Sequence, residues 1–207
     1  MTQMPWDQRA ARILVRPLAR TPITPNQITV FTLLLALAGS ALIATGRTDL
    51  INLGAGLFVL GRFLDHFDGE LARLTGKTSR LGYWLDYIAG AISYAAFYLG
   101  AGIGLQGGWL GEWSIWLGIL GAAGSLASLF FTIGIDTAER GAETVDAEGY
   151  PGFAGFELED AMYLIAPIAW AGWLAGFFLP ASIGAGVYAL WMGLSMLRAR
   201  ARATPRT

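Results

Sequence analysis

Asp65, Asp68 and Asp86 are the residues of this chain whose type and spacing point most directly to chemistry. Asp65 and Asp68 stand three apart, so on a helix they share a face. Gly82, Asp86 and Gly90 follow at intervals of four and line one face of the next segment. Two neighbouring helices joined by a short link can aim the three carboxylates at one point. Carboxylates so clustered repel unless a cation neutralises them, and hard oxygen ligands suit Mg²⁺, Mn²⁺ or Ca²⁺. Gly69 and Ala72 continue the stripe with small side chains and leave room above a metal for a bulky group such as a diphosphate. Arg73, Lys77 or Arg80 could hold its negative charge. Spacing alone leaves an alternative open, in which the aspartates pair with Arg62 and Arg73 and only fix helix packing.

These charges sit in segments that otherwise read as membrane spans, where ionisable side chains are costly and signal function. The chain has 207 residues, of which 55% are hydrophobic and 14% charged, against ~25% charged in soluble domains. Mean hydropathy is +0.51. An integral membrane protein is expected, as one domain over 1–207, all α-helical, with six transmembrane helices. The 28 glycines suit close helix packing in lipid. The spans are expected at about 27–46, 51–74, 81–105, 112–136, 158–178 and 180–199, each near the ~20 residues that cross a bilayer core. Residues 5–20 alternate arginines with Trp6, Ile13, Leu14 and Leu18, as an amphipathic helix at the membrane–water interface would, its arginines toward lipid phosphates. There are no cysteines, which excludes disulfides and thiolate zinc sites. The net charge of −1 gives no basic field for nucleic acid, and no cleavable signal peptide is expected.

Lys and Arg set the orientation. The N-terminal arm, the Lys77–Arg80 link and the tail with Arg198, Arg200, Arg202 and Arg206 are the basic regions. An even number of spans puts all three on one side, so both termini and the polar site are expected in the cytoplasm. Arg47, in an outside loop, is the exception.

The run Asp65, Asp68, Gly69, Ala72, Arg73, Gly82, Asp86 resembles the pattern D-x-x-D-G-x-x-A-R-x8-G-x3-D-x3-D of the CDP-alcohol phosphotransferases. TPNQIT at 24–29 is also similar to that family's approach to its first span. The resemblance implies six helices around a polar cavity open to the cytoplasm, usually in a homodimer. It implies Mg²⁺ or Mn²⁺, and a CDP-linked lipid donor whose phosphoryl-linked group passes to a small alcohol with release of CMP, in phospholipid synthesis. By the same resemblance Asp65, Asp68 and Asp86 would hold metal. Gly69, Ala72, Arg73 and Gly82 would shape the nucleotide site, with Asn26 beside them.

The pattern departs at Gly90, where the family has a fourth aspartate that serves as general base and metal ligand. Glycine can do neither, and loss of a general base costs ~10²–10⁴-fold. Glu157 and Asp160, in FELEDAMY at the start of the fifth expected span, are the candidate substitute bases. Helix capping is their ordinary role. His66 points ~100° away from its neighbour Asp65 on a helix and is expected to contact a neighbour instead. A homologue that binds a CDP-lipid or a partner without turnover also fits the pattern. From Asp136 to Asp160 the only base among eight carboxylates is Arg140, which slightly favours a non-phosphorylated acceptor.

Overall fold

A computed structural model describes residues 6–140, 152–153 and 156–203, with side chains for 6–134 and 161–198. The chain is all-α. Its helices are α1 (Trp6–Leu14), α2 (Pro25–Ala44), α3 (Thr48–Thr75), α4 (Arg80–Gly104), α5 (Trp113–Arg140), α6 (Ile165–Trp170) and α7 (Leu174–Ala203). A two-residue ladder pairs Gly152–Phe153 with Phe156–Glu157 and leads into a 3-10 helix over Leu158–Leu164. Among the described residues, five helices, α2 to α5 and α7, are long and apolar enough to cross a membrane.

Small residues set the packing. A β-carbon added at Gly39 would lie 2.6 Å from the Gly54 carbonyl oxygen and 2.8 Å from the Phe58 nitrogen, so α2 and α3 touch backbone to backbone. Their contacts pair rising with falling numbers: 39 meets 54, 32 meets 61 and 65, and 29 meets 68. The two helices are therefore antiparallel. By the same reading α2 and α4 run parallel, with Gly82 beside Asn26 and Gly100 beside Ser40. The site-bearing hairpin α3–α4 thus clasps α2 along its length.

The interfacial segment is α-helical only to Leu14 and continues as a 3-10 turn over Arg16–Arg20. Pro17, which has no N–H to give, falls in that turn. Ala11 and Val15 are buried against Ile28, Phe67 and Leu71, while Ile13, Leu14 and all four arginines stay exposed. The segment therefore has a protein-facing side as well as the lipid-facing side read from sequence. Arg47, the exception in the charge pattern, pairs with Asp49 at 2.9 Å on the surface.

The break expected at residue 179 lies at 171–173 instead. Gly172, at φ 75°, ends α6. Its N–H bonds the Ala169 carbonyl and the Trp173 N–H bonds that of Ile168, both at 2.9 Å, the reciprocal pair of a glycine C-cap. Pro180 lies inside α7, where a transmembrane helix tolerates the missing N–H. The segment Leu158–Trp170 rises about 23 Å, partly as the steeper 3-10 form. Gly124 lies against Ala185 and Gly193 against Phe131, so α5 and α7 are parallel and the chain between them must return along the bundle. Trp170 at one end of that return donates to the Asn52 carbonyl at 3.0 Å, and Met162 at the other accepts from the Tyr94 hydroxyl at 3.1 Å.

Candidate functional site

The three aspartates converge. One ligand oxygen from each of Asp65, Asp68 and Asp86 lies within 4.8 Å of the others. Asp65 and Asp68 are buried on α3, and Asp86 is half-buried on the facing helix α4. The sequence folds this way because α3 is capped by Gly76, whose φ of 66° suits the left-handed cap, and Ser79, three residues later, caps the start of α4. The Ser79 hydroxyl accepts from the Gly82 N–H at 3.0 Å. This short reversal brings residue 86 level with residues 65 and 68.

Each α3 carboxylate is hydrogen-bonded; of its partners, Arg62 was a pairing residue offered by the sequence, and the two α2 threonines were not. Thr32 donates its hydroxyl to Asp65 Oδ1 at 3.0 Å, and Arg62 donates to Asp65 Oδ2 at 2.9 Å. Asp68 Oδ2 accepts from the Thr29 hydroxyl and Oδ1 from the Gly69 N–H. Thr29 and Thr32 are buried on α2, three residues apart. The only trace of them in sequence is two threonines on one face of an otherwise apolar span. Each carboxylate oxygen has two lone pairs, so these bonds fix the carboxylates and leave coordination capacity free. Three clustered, oriented carboxylates at membrane depth fit a hard divalent cation.

The expected nucleotide-site residues border the cluster. The Arg73 guanidinium lies over Gly69, 3.5 Å from where a β-carbon would stand. Arg73 also pairs with the buried Glu70 at 2.8 Å while remaining mostly exposed, so it has donors left for an anion. Ala72 is half-buried one residue before it. A β-carbon at Gly82 would stand 3.0 Å from Asn26 Oδ1, so Asn26 belongs beside the α4 N-terminus. Asn26 is positioned by a capping box. Thr24 accepts from the Gln27 N–H at 3.4 Å, the Gln27 side chain accepts from the Thr24 N–H at 2.9 Å, and Pro25 opens the helix.

His66 does find a neighbour. Its Nε2 is 2.6 Å from Asp7 Oδ2, and Asp7 also accepts from the Tyr163 hydroxyl at 3.0 Å. Asp7 thereby ties α1 to α3 and to the 3-10 helix before α6. Burial pushes the Asp7 carboxyl up, but the His66 and Tyr163 bonds and the His66 charge outweigh that and hold it below its ordinary value. The candidate bases Glu157 and Asp160 lie outside the residues with described side chains.

Residues 22–147 match the CDP-alcohol phosphatidyltransferase family. An archaetidylinositol phosphate synthase of Pyrococcus horikoshii is 31% identical over 166 residues, which is 75% of this chain and 82% of that protein. A bifunctional IPC transferase and DIPP synthase of Thermococcus kodakarensis is 48% identical over 68 residues, 32% of this chain but only 14% of that longer protein. The fold is similar to that of Mycobacterium tuberculosis phosphatidylinositol phosphate synthase with CDP-DAG bound, with a TM-score of 0.66 at 19% identity, covering 96% of this chain and 98% of that one. The same Mycobacterium enzyme in complex with manganese and citrate gives 0.58 at 21% identity, covering 95% and 93%. The family match takes in the carboxylate cluster, Arg73, Gly82 and Asn26, and the chain belongs to the CDP-alcohol phosphatidyltransferase family.

Proposed function

We propose that the protein transfers a phosphoryl-linked lipid group from a CDP-linked donor such as CDP-diacylglycerol to a polyol of the inositol class, releasing CMP. The observation that carries this reading is the convergence of Asp65, Asp68 and Asp86 beside Arg73 and the Asn26–Gly82 contact. Asp65, Asp68 and Asp86 would hold Mg²⁺ or Mn²⁺, which when bound supplies charge neutralisation and polarisation at the donor diphosphate. Arg73, kept over Gly69 by Glu70, steadies that diphosphate. Asn26, Gly69, Ala72 and Gly82 leave the space and polar edge for the nucleotide. An apolar groove of about 360 Å³, lined by Leu18, Ile28, Phe31, Leu64 and Phe67, suits an acyl chain. Ile28 and Phe67 precede Thr29 and Asp68 in the chain and stand ~100° round their helices from them, so the groove opens on a neighbouring face of the α2–α3 pair.

In the reaction the acceptor hydroxyl oxygen bonds to the phosphorus that carries the lipid. The bridging bond to CMP breaks, and the hydroxyl proton passes to a base. With glycine at 90, the base we assign is Glu157 or Asp160, on the segment that enters the bundle ahead of Met162 and Tyr163. The names of the relatives support a phosphorylated inositol as acceptor. The acidic 136–160 stretch, with Arg140 its only base, favours a second reading, a non-phosphorylated alcohol. The return segment 158–170 acts as a sixth crossing, which leaves both termini and the site on the cytoplasmic side with the basic link. A homodimer is the assembly the family resemblance supports.

Metal-dependent binding of CDP-diacylglycerol in detergent tests the donor site. Binding should need Mn²⁺ or Mg²⁺ and be lost in Asp68→Asn. Glu157→Gln or Asp160→Asn should keep that binding and abolish turnover. Normal turnover in both variants would remove the substitute-base assignment. Intact binding with no turnover in the unaltered protein would favour a homologue that only binds.

A further inference from the structure

The position of the missing fourth aspartate is not empty of charge. Gly90 lies one turn beyond Asp86 on α4. Among the described residues on other elements, a β-carbon built there meets the Arg62 guanidinium, at 3.8 and 3.9 Å from its two terminal nitrogens. Beyond its own stretch of α4, no other described heavy atom comes within 4 Å of it, so packing does not require glycine here as it does at Gly100 and Gly102 of the same helix. Arg62 is buried on α3, bonds Asp65 at 2.9 Å and lies 4.9 Å from the centre of the Tyr94 ring. A guanidinium stays charged at any pH a protein survives. Any side chain at position 90 that points toward the carboxylates therefore meets a fixed cation first.

We propose that, in the absence of donor, this site holds a single divalent ion, with Arg62 as the built-in cation that keeps out a second. The inference rests on the metal-site reading above. Three carboxylates carry three negative charges, which one divalent ion and Arg62 together neutralise. A second ion would leave two uncompensated positive charges in a region of low dielectric, where repulsion is strong. It follows that Gly90→Asp alone does not create a second metal position, because the new carboxylate pairs with Arg62.

The test is Mn²⁺ stoichiometry by equilibrium dialysis, with electron paramagnetic resonance to separate isolated ions from a magnetically coupled pair. The unaltered protein and Gly90→Asp are each expected to bind one Mn²⁺ per chain with an isolated-ion spectrum. Gly90→Asp combined with Arg62→Met is expected to bind two with a coupled spectrum. A coupled pair in the unaltered protein or in Gly90→Asp overturns the inference while leaving the proposed function standing. So does a folded double variant that still takes one ion. No Mn²⁺ bound to the unaltered protein overturns the metal site itself and the proposed function with it. Should the double variant fail to fold, the first two measurements still decide, since each must give one ion.

Discussion

Thr29→Val removes one hydroxyl and changes little else. Thr29 is buried on α2, and its hydroxyl donates to the buried Asp68 carboxylate. Valine keeps the branched shape and suits the helix, so the packing of α2 on α3 should persist. A hydrogen bond to a charged group contributes about 1.5–3 kcal/mol. If that stabilisation is lost from the oriented, metal-ready carboxylate, Mn²⁺ affinity should fall about 10- to 150-fold at ~1.4 kcal/mol per decade. Outer-shell substitutions at metal ligands generally cost about 10–100-fold, the same range by an independent route. The assay is Mn²⁺ titration of purified protein in detergent, beside Thr29→Ser, which keeps the donor. Thermal unfolding of all three proteins would confirm that the fold is equivalent. Affinity of Thr29→Val within threefold of the unaltered protein, or an equal loss in Thr29→Ser, would refute the assignment of Thr29 as the group that orients Asp68.

Gly39→Ala places a β-carbon 2.6 Å from a backbone oxygen of α3, and backbone cannot give way as a side-chain tip can. Overpacking of this kind costs about 1–3 kcal/mol, so the melting temperature should drop, and Mn²⁺ affinity with it as Thr29 and Thr32 move off their carboxylates. Gly82→Ala presses on Asn26 Oδ1 and the Ser79 hydroxyl at 3.0 and 3.1 Å. It should weaken CDP-lipid binding several-fold while sparing Mn²⁺ binding, as paired titrations would reveal. Asp7→Asn removes the charge that joins α1 to His66 and Tyr163, and hydrogen exchange across residues 6–20 should rise. The same contact has a pH signature. The folded-state pKa of Asp7 is held below its ordinary value near 3.8, so its contribution is complete above that value. It is lost as pH falls through the lower folded one, and α1 protection should decline in that acid range.

The carboxylate cluster was legible because it is local. Asp65, Asp68 and Asp86 occupy two successive helices joined by a short link, and intervals of three and four fix the face each one takes; α2, on which both helices pack, turns those faces toward each other. Thr29 and Thr32 were not legible, since they come from another helix and nothing in an apolar span distinguishes a threonine that orients a carboxylate from one that bonds its own backbone. Arg62 was visible as a possible ion-pair partner, but its position beside Gly90 depends on how α3 meets α4. The helix end at 171–173 was not legible, because the apolar run continues through Ala171, Gly172 and Trp173 with no charge or proline to mark it. In a transmembrane helix a proline is tolerated, and Gly172 with its reciprocal carbonyl bonds makes the turn. The 3-10 form of 158–164 left no periodic signal, and it shortens the fifth segment from the full span expected at 158–178. The amphipathic arm was read as facing lipid alone, because Asp7 at its start gave no sign that it would be buried against His66.

The most direct measurement is CMP release by the purified protein with CDP-diacylglycerol, Mn²⁺ and a panel of alcohols that includes inositol and inositol phosphate. We expect release that depends on one of these acceptors and disappears in Asp86→Asn. Release that persists in Asp86→Asn, or no release with any acceptor from protein that binds the donor, would overturn the assignment of these carboxylates to group transfer.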